Sequence, residues 1–367
     1  MKHLCVMTTV HQPNDLRIIK EIETIEKLGL KITFIAPEGK CPIESVEHIG
    51  LKVPGNRLKR IMYSIRKIHK VASAVDADIY HFHDPELIPT AVKLKRGGKK
   101  IVYDVHENNP AAILNKEWLP KRIRKLISRR FARYEENASR LFDGIIVTTE
   151  SVEKRFSGLS RVALLPNYRK ATTFAVSNHY SIGSKPVVFV YAGAISSMTC
   201  VNEIIQAAYV LEKRKNNFAL KIAGPISNKS LVRALREVHE PVEYLGVIPR
   251  KEAELLVKNS DVGLLLYSRE DPNAVQCSPN KLFEYLSLGK PIIATDNDYW
   301  RRFLGQDSCV YVEDPSNHEE IAEKMEIMLE DRVREAKSKE SAKLGMIYTW
   351  ESIESHLIDL YRQLLKA

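Results

Sequence analysis

No apolar run in this 367-residue chain approaches the length of a membrane span. The opening residues, MKHLCVMTTVHQ, lack the apolar core of a secretory signal. Cysteine is scarce: Cys5, Cys41, Cys200, Cys277 and Cys309 are scattered, with no paired metal-ligand spacing. They read as reduced thiols, and these absences together predict a cytoplasmic protein. A composition that is 44% hydrophobic and 28% charged is that of a soluble globular protein and argues against disorder. The length exceeds one ordinary domain and suits two, each able to bury its own core.

Acidic residues are the scarce charge in the first part of the chain. Residues 1–170 hold 19 Asp and Glu against 32 Lys and Arg, whereas residues 171–367 hold 27 against 24. The excess concentrates in 57–70 (RLKRIMYSIRKIHK), with six basic residues and no acidic one, and in 116–133 (KEWLPKRIRKLISRRFAR), with eight against Glu117. Both interleave cations with apolar side chains at helical spacing. Such a helix can lie on an anionic membrane surface, gaining roughly 1 kcal/mol per nearby cation. It can equally turn its apolar stripe to the core and leave the cations in water. No recognisable nucleic-acid motif accompanies the charge, so no nucleic-acid partner is expected.

Apolar runs alternate with amphipathic stretches along the chain. Strands are expected at 3–9, 31–36, 78–83, 101–105, 144–148 and 162–165, with helices at 15–28 and 85–96 between them. Periodicity is lost over 171–185, a stretch rich in Ser and Thr that reads as a linker. The cycle then restarts, with strands expected at 187–191, 219–223, 242–244, 262–266, 291–295 and 309–312, and an amphipathic helix at 349–365. This alternation predicts an α/β protein of two doubly wound parallel sheets: a domain at 1–170, a second at 186–348 and a terminal helix at 349–367. Two such domains create a cleft at their facing strand ends, where ligands bind.

The most informative stretch is SPNKLFEYLSLGKPIIATD, residues 278–296. Ser278 can cap a helix, Pro279 suits its first position, Gly289 ends it, and a buried strand follows. Leu282, Phe283, Leu286 and Ser287 give the helix a packing face, with Glu284 as a charge among apolar residues. The helix N-terminus then lies at the carboxyl edge of a sheet, where anions settle. A plain core helix with one solvated Glu would read the same way.

This stretch resembles the nucleotide-sugar-binding segment of family 4 glycosyltransferases, in the subgroup reading PNKLFEY. The resemblance extends over nearly the whole chain. HQPNDLR (11–17) is similar to the family's first loop. HFHDPE (81–86) and YDVHE (103–107) resemble further sheet-edge loops, and Pro166-Asn167 the segment before the linker. Gly193, Gly224-Pro225, Leu245-Gly246 and the strand from Asp261 look like the second domain's strand ends. The resemblance implies the GT-B fold, with the last helix crossing back to the first domain. It implies a retaining, metal-independent transfer of a sugar from a nucleoside diphosphate, a UDP- or GDP-sugar, to an acceptor hydroxyl. No cofactor is implied.

Residue by residue, the resemblance gives Glu284 the ribose hydroxyls, and Ser278, Asn280 and Lys281 the diphosphate or sugar. Gly193 and Gly224 would shape the strand-end loops of the donor site. His106 would reach the transferred sugar near its anomeric carbon, and Glu107 would orient the acceptor. His83 and Asp84 read as structural residues or as site residues. With His106 they form no metal set, because a third ligand at fixed spacing is missing.

Two positions depart from the family pattern. Gln276 stands where a Glu is common; it keeps an acceptor and loses the charge. Thr199 and Cys200 stand where an Arg-Gly pair would serve the diphosphate, leaving Lys281 or Arg250 as substitutes. The reading is a glycosyltransferase extending a lipid-linked glycan at the inner face of the plasma membrane, in the assembly of cell-surface polysaccharide such as lipopolysaccharide. The alternative is a non-catalytic GT-B protein that binds a nucleotide sugar or a partner enzyme. A nucleotide-sugar epimerase or glycan phosphorylase of the same fold is a third reading.

Overall fold

The computed structural model describes residues 1–116, 119–171, 185–196, 198–270 and 276–366. Most of the 171–185 stretch read as a linker lies outside the described residues. The chain forms two compact units, Met1–Asn167 with Trp350–Ala367, and Tyr168–Thr349.

The first unit holds seven parallel strands: β1 (His3–Met7), β2 (Lys31–Pro37), β3 (Glu47–Leu51), β4 (Ile79–Phe82), β5 (Lys100–Val105), β6 (Gly144–Val147) and β7 (Val162–Leu164), in the order β3-β2-β1-β4-β5-β6-β7. The inner strands are near-continuous apolar runs because helices cover both faces. In the core, Phe82 stacks on Tyr103 at 4.5 Å and meets the edge of Phe142 at 5.4 Å. The chain order reverses between β1 and β4, and the crevice beyond their carboxyl ends is where such a sheet takes ligands.

The terminal helix, Glu354–Lys366, belongs to this unit. Leu357, Leu360, Tyr361 and Leu364 are its buried face. A Cβ on Gly144 would stand 3.1 Å from the Leu360 Cδ1, so the helix seats where β6 carries no side chain. Trp350 donates its indole N–H to Thr24 Oγ1 at 2.8 Å, and Lys20 lies over its ring.

Both basic segments differ from the single helices expected. Residues 57–75 fold as α-helix Arg57–Tyr63, π-helical Ser64–Ile68 and α-helix His69–Val75. In the second, Pro120 stays extended at ψ 131°, so the helix runs Lys121–Ser139 and not from 116. It buries Ser128, Glu135, Ala138 and Ser139, leaving Ile123, Leu126 and Tyr134 exposed beside Lys121, Arg122, Lys125, Arg129, Arg130 and Arg133. The apolar stripe of this helix therefore does not face the core along its first turns.

The second unit has six parallel strands: β8 (Val187–Ala192), β9 (Phe218–Ala223), β10 (Val242–Tyr244), β11 (Val262–Leu265), β12 (Ile292–Thr295) and β13 (Cys309–Val312), in the order β10-β9-β8-β11-β12-β13. Phe189, Tyr191, Leu220, Ile222 and Leu264 form its core with Ala207 and Ala208 of the Val201–Lys213 helix. Its chain order reverses between β8 and β11. Among the described residues, no helix in either unit is long and apolar enough to cross a membrane.

Candidate active site

In the second unit a cavity of about 450 Å³ opens at the carboxyl ends of β8 and β9. Two glycines shape it. A Cβ on Gly224 would come within 1.9 Å of the Gly193 carbonyl oxygen, so the two strand-end loops touch only because Gly224 lacks a side chain. A Cβ on Gly193 would stand 3.2 Å from Lys281 Cε, which places that lysine against the β8 loop.

Lys281 comes from the helix Asn280–Ser287. Pro279 keeps an extended backbone at ψ 138°, so this helix starts at Asn280, one residue later than expected, and has no side-chain cap. Ser278 is buried ahead of it and does not line the cavity, whereas Asn280, Lys281 and Glu284 do. The helix ends in a Schellman motif: Lys290 N–H reaches Tyr285 O at 2.9 Å and Gly289 N–H reaches Leu286 O at 3.0 Å, with Gly289 at φ +61°. Tyr285 fixes the helix on the sheet, since a Cβ on Gly263 would come within 2.6 Å of its ring.

Lys281 is 7% exposed. Its Nζ sits 3.7 Å from the Tyr191 ring centroid and has no hydrogen-bond partner among the described residues. Burial pulls its pKa down to about 7. A buried ammonium with spare donors, beside backbone amides that a first helical turn leaves unbonded, is a site for an anion.

Glu284 lies one turn on, half-buried. Its Oε1 is 3.5 Å from Arg169 Nη1, while Arg169 Nη2 donates to Glu254 Oε1 at 3.0 Å, and Arg250 Nε lies 3.2 Å from the same Glu254 oxygen. Arg250, Glu254 and Glu284 line the cavity together. Gln276 is exposed, is not among the lining residues, and follows residues 271–275, which are not described. Arg169 and Glu254 were not singled out from sequence. Glu254 lies four residues beyond Arg250, a helical-neighbour spacing that offered a weak signal, and Arg169 follows Pro166-Asn167 with none.

Thr199 and Cys200 supply no cation. Thr199 closes its own turn, donating to Ser196 O at 3.0 Å and accepting from Ser196 N–H at 3.1 Å. Cys200 is buried at the start of the Val201–Lys213 helix, and burial pushes its thiol up to about 12.

The first unit has its own polar cluster at the ends of β1, β4 and β5. Asp84 accepts from Thr9 N–H at 2.5 Å and Thr8 Oγ1 at 2.8 Å, pinning the first loop. Asp104, fully buried, accepts from Arg17 Nε at 2.7 Å and Nη2 at 2.8 Å. Burial alone would raise the Asp104 pKa, but Arg17 and His106 hold it well below the usual carboxylate range. His106 Nε2 is 2.9 Å from Asp104 Oδ2 and 3.1 Å from His83 Nδ1, and its ring lies 4.6 Å from that of His11. Glu107 is exposed next to it. Burial would lower His11, but Asp15 and Asp84 raise it overall.

Glu21, His81, His83 and Asp104 present ligand atoms within 4.8 Å of one another, the group among the described residues that could hold a metal ion. Arg17 already lies against two of these carboxylates, at 2.7 Å from Asp104 and 3.2 Å from Glu21, and Tyr361 bonds His81 Nδ1 at 2.9 Å. Burial, then the Asp104 charge, pushes the Glu21 carboxyl well up. The protein therefore balances the charge of this cluster internally.

Residues 18–167 match the family model described as Glycosyltransferase Family 4, and residues 175–344 the model described as Glycosyl transferases group 1. The chain belongs to the family 4 glycosyltransferases. This glycosyltransferase has the GT-B fold of solved structures that differ widely from it in sequence. Sucrose-phosphate synthase from Thermosynechococcus elongatus is 13% identical over 100% of both chains, with a TM-score of 0.73. WaaG, a glycosyltransferase involved in lipopolysaccharide biosynthesis, is 15% identical over 97% of this chain and 99% of its own, with a TM-score of 0.71. HepE of Anabaena, in complex with UDP and glucose, is 13% identical over 99% of this chain and 100% of its own, with a TM-score of 0.69. No curated protein matches the sequence.

Proposed function

We propose that the glycosyltransferase moves a sugar from a UDP- or GDP-sugar to a glycan acceptor with retention of configuration. The observation that carries this reading is the second-unit cavity, where the unpartnered, buried Lys281 lies against Gly193 at a helix start and Glu284 lines the same wall. Transfer must separate the anomeric carbon from a departing diphosphate, and the largest available help is preorganised positive charge at the leaving group. Lys281 and the amides of Asn280 and Lys281 supply it without a metal ion. Glu284 offers carboxylate oxygens suited to a vicinal diol, so it takes the ribose. His106, braced by Asp104, would meet the sugar, and Glu107 the acceptor. HepE, solved with UDP and glucose, supports a nucleotide-sugar ligand.

The acceptor in this reading is a lipid-linked glycan of cell-surface polysaccharide, met at the cytoplasmic face of the membrane. The Lys121–Ser139 helix supports it, exposing six cations with Ile123, Leu126 and Tyr134, the composition of an interfacial helix. The exposed Met62, in the Arg57–Tyr63 helix, adds a second apolar contact near Lys59. Thr199 and Cys200 favour a second reading, a non-catalytic member that binds the nucleotide sugar or a partner enzyme.

A thermal-shift screen with UDP, GDP, ADP and CMP, run beside Glu284→Ala, tests the donor site. Stabilisation by one nucleotide, lost in the variant, is the expected result. No shift with any nucleotide at millimolar concentration would reject it. Hydrolysis of the matching nucleotide sugar separates the two readings, since a non-catalytic protein gives none.

A further inference from the structure

We propose that Arg169 is a positioning residue for Glu284 and thereby sets how strongly the donor site distinguishes ribose from a sugar lacking the hydroxyl pair. The proposal rests on the donor-site reading above. Arg169 is the central cation in a chain of charges running Arg250, Glu254, Arg169, Glu284, with Glu254 and Glu284 on either side of its guanidinium at 3.0 and 3.5 Å. Its Nη1, the atom facing Glu284, is buried and has no hydrogen-bond partner among the described residues. One branch of the guanidinium is therefore anchored on Glu254 and the other is held beside the Glu284 carboxylate.

The base of this side chain is fixed to the same support as its target. Arg169 pairs with Thr349 in a parallel bridge. The preceding residue, Tyr168, packs edge-on against Phe283 at 4.7 Å and lies 5.4 Å from the Tyr348 ring. Phe283 directly precedes Glu284 on the helix. Both partners are thus mounted on one aromatic cluster, which leaves little freedom between them. A carboxylate on a cavity wall otherwise samples several rotamers and must be ordered when ligand arrives. Drawing Oε1 toward Arg169 fixes the plane of the carboxylate, so both of its oxygens keep a lone pair aimed in one direction for the diol. Removing the guanidinium would leave Glu254 and Glu284 without the cation between them, and their repulsion would turn Glu284 away.

The test compares affinity for the stabilising nucleotide with affinity for its 2′,3′-dideoxy analogue, using UDP and GDP and their analogues as probes. Wild type, Glu284→Ala, Arg169→Met and Arg169→Lys are titrated, with thermal midpoints as the folding control. Wild type should prefer the ribonucleotide by ~10-fold or more, the scale of a hydrogen bond to a charged group. Glu284→Ala should bring the ratio close to one. Arg169→Met should do nearly the same while holding the dideoxy analogue within ~3-fold of wild type, and Arg169→Lys should restore part of the preference.

A structural role alone would weaken both ligands equally and keep the ratio; that result in Arg169→Met overturns the proposal. If Glu284→Ala loses the preference and the Arg169 variants keep it, only the Arg169 proposal fails. If Glu284→Ala keeps the preference, or wild type shows none, the ribose reading fails and the proposal with it.

Discussion

Replacing Lys281 with Met should make the empty protein more stable and remove its hold on a nucleoside diphosphate. Burial holds the Lys281 pKa at about 7 in the folded protein against 10.5 for an ordinary lysine. The unfolded chain therefore binds this proton more tightly than the folded one. The resulting penalty on folding is full below pH 7 and fades as pH rises toward 10.5. Its size is about 4 kcal/mol at pH 7 and about half that at pH 9, upper figures because water entry and relaxation relieve part of it. Methionine keeps the length, removes the charge, and sets a thioether against the Tyr191 ring that now carries the ammonium at 3.7 Å. A net gain of roughly 1–4 kcal/mol is expected at pH 7, each kcal/mol raising the midpoint by roughly 2–4 °C in a unit of this size. Scanning calorimetry of wild type and Lys281→Met at pH 7 and pH 9, with and without nucleotide, reads all of this. The variant should melt higher when empty, the gap should narrow by pH 9, and nucleotide should stabilise only wild type. A variant that melts lower than wild type, or a gap that ignores pH, would refute the reasoning.

The same lysine makes nucleotide affinity pH-dependent: an anion favours its charged form, so binding should weaken by ~10-fold from pH 7 to pH 8.5 as the empty site loses its proton, measured by titration calorimetry. Binding that is flat over that range would remove Lys281 from the diphosphate. His106→Ala should slow transfer by ~10²-fold or more while leaving the thermal shift with nucleotide intact, because His106 lies in the first unit's cluster. Asp104→Asn should lower stability by about 3 kcal/mol, seen as a lower denaturation midpoint, since it uncouples the buried Arg17 from its bidentate partner. Exchanging Arg122, Lys125, Arg129 and Arg130 for Glu should abolish sedimentation with vesicles rich in anionic lipid and leave nucleotide binding unchanged; retained sedimentation would reject that helix as the membrane contact.

Strands buried on both faces were the most legible part of the fold, because a run such as Ile292–Thr295 has no polar residue that must reach water. β3, with the sequence EHIGL, gives no strand signal: it lies at the sheet edge, is only partly buried, and carries Glu, His and Gly where such a signal needs branched residues. The helix carrying Glu284 starts one residue later than its sequence suggests, because the Pro279 backbone is extended and not helical. Pro120 shortens the second basic helix in the same way. Local spacing could announce Asn280, Lys281 and Glu284, since all three sit on one helix. It could not announce Arg169, which reaches Glu284 across 115 positions through tertiary packing. His81 on β4 and His83 just beyond its end are two residues apart and stack on one face, a pattern visible in HFHD, yet their partners Glu21, Asp104 and Tyr361 come from three other elements.

In the proposed function, the second unit's cavity holds the nucleoside diphosphate of the donor, with Glu284 on its ribose. Titration calorimetry of UDP and GDP into wild type and Glu284→Ala, both verified as folded, tests it most directly. Wild type should bind one of the two nucleotides with a one-to-one stoichiometry, and the variant should bind it ~10-fold or more weakly. Equal affinity in wild type and variant, or no binding to wild type at millimolar nucleotide, would contradict it.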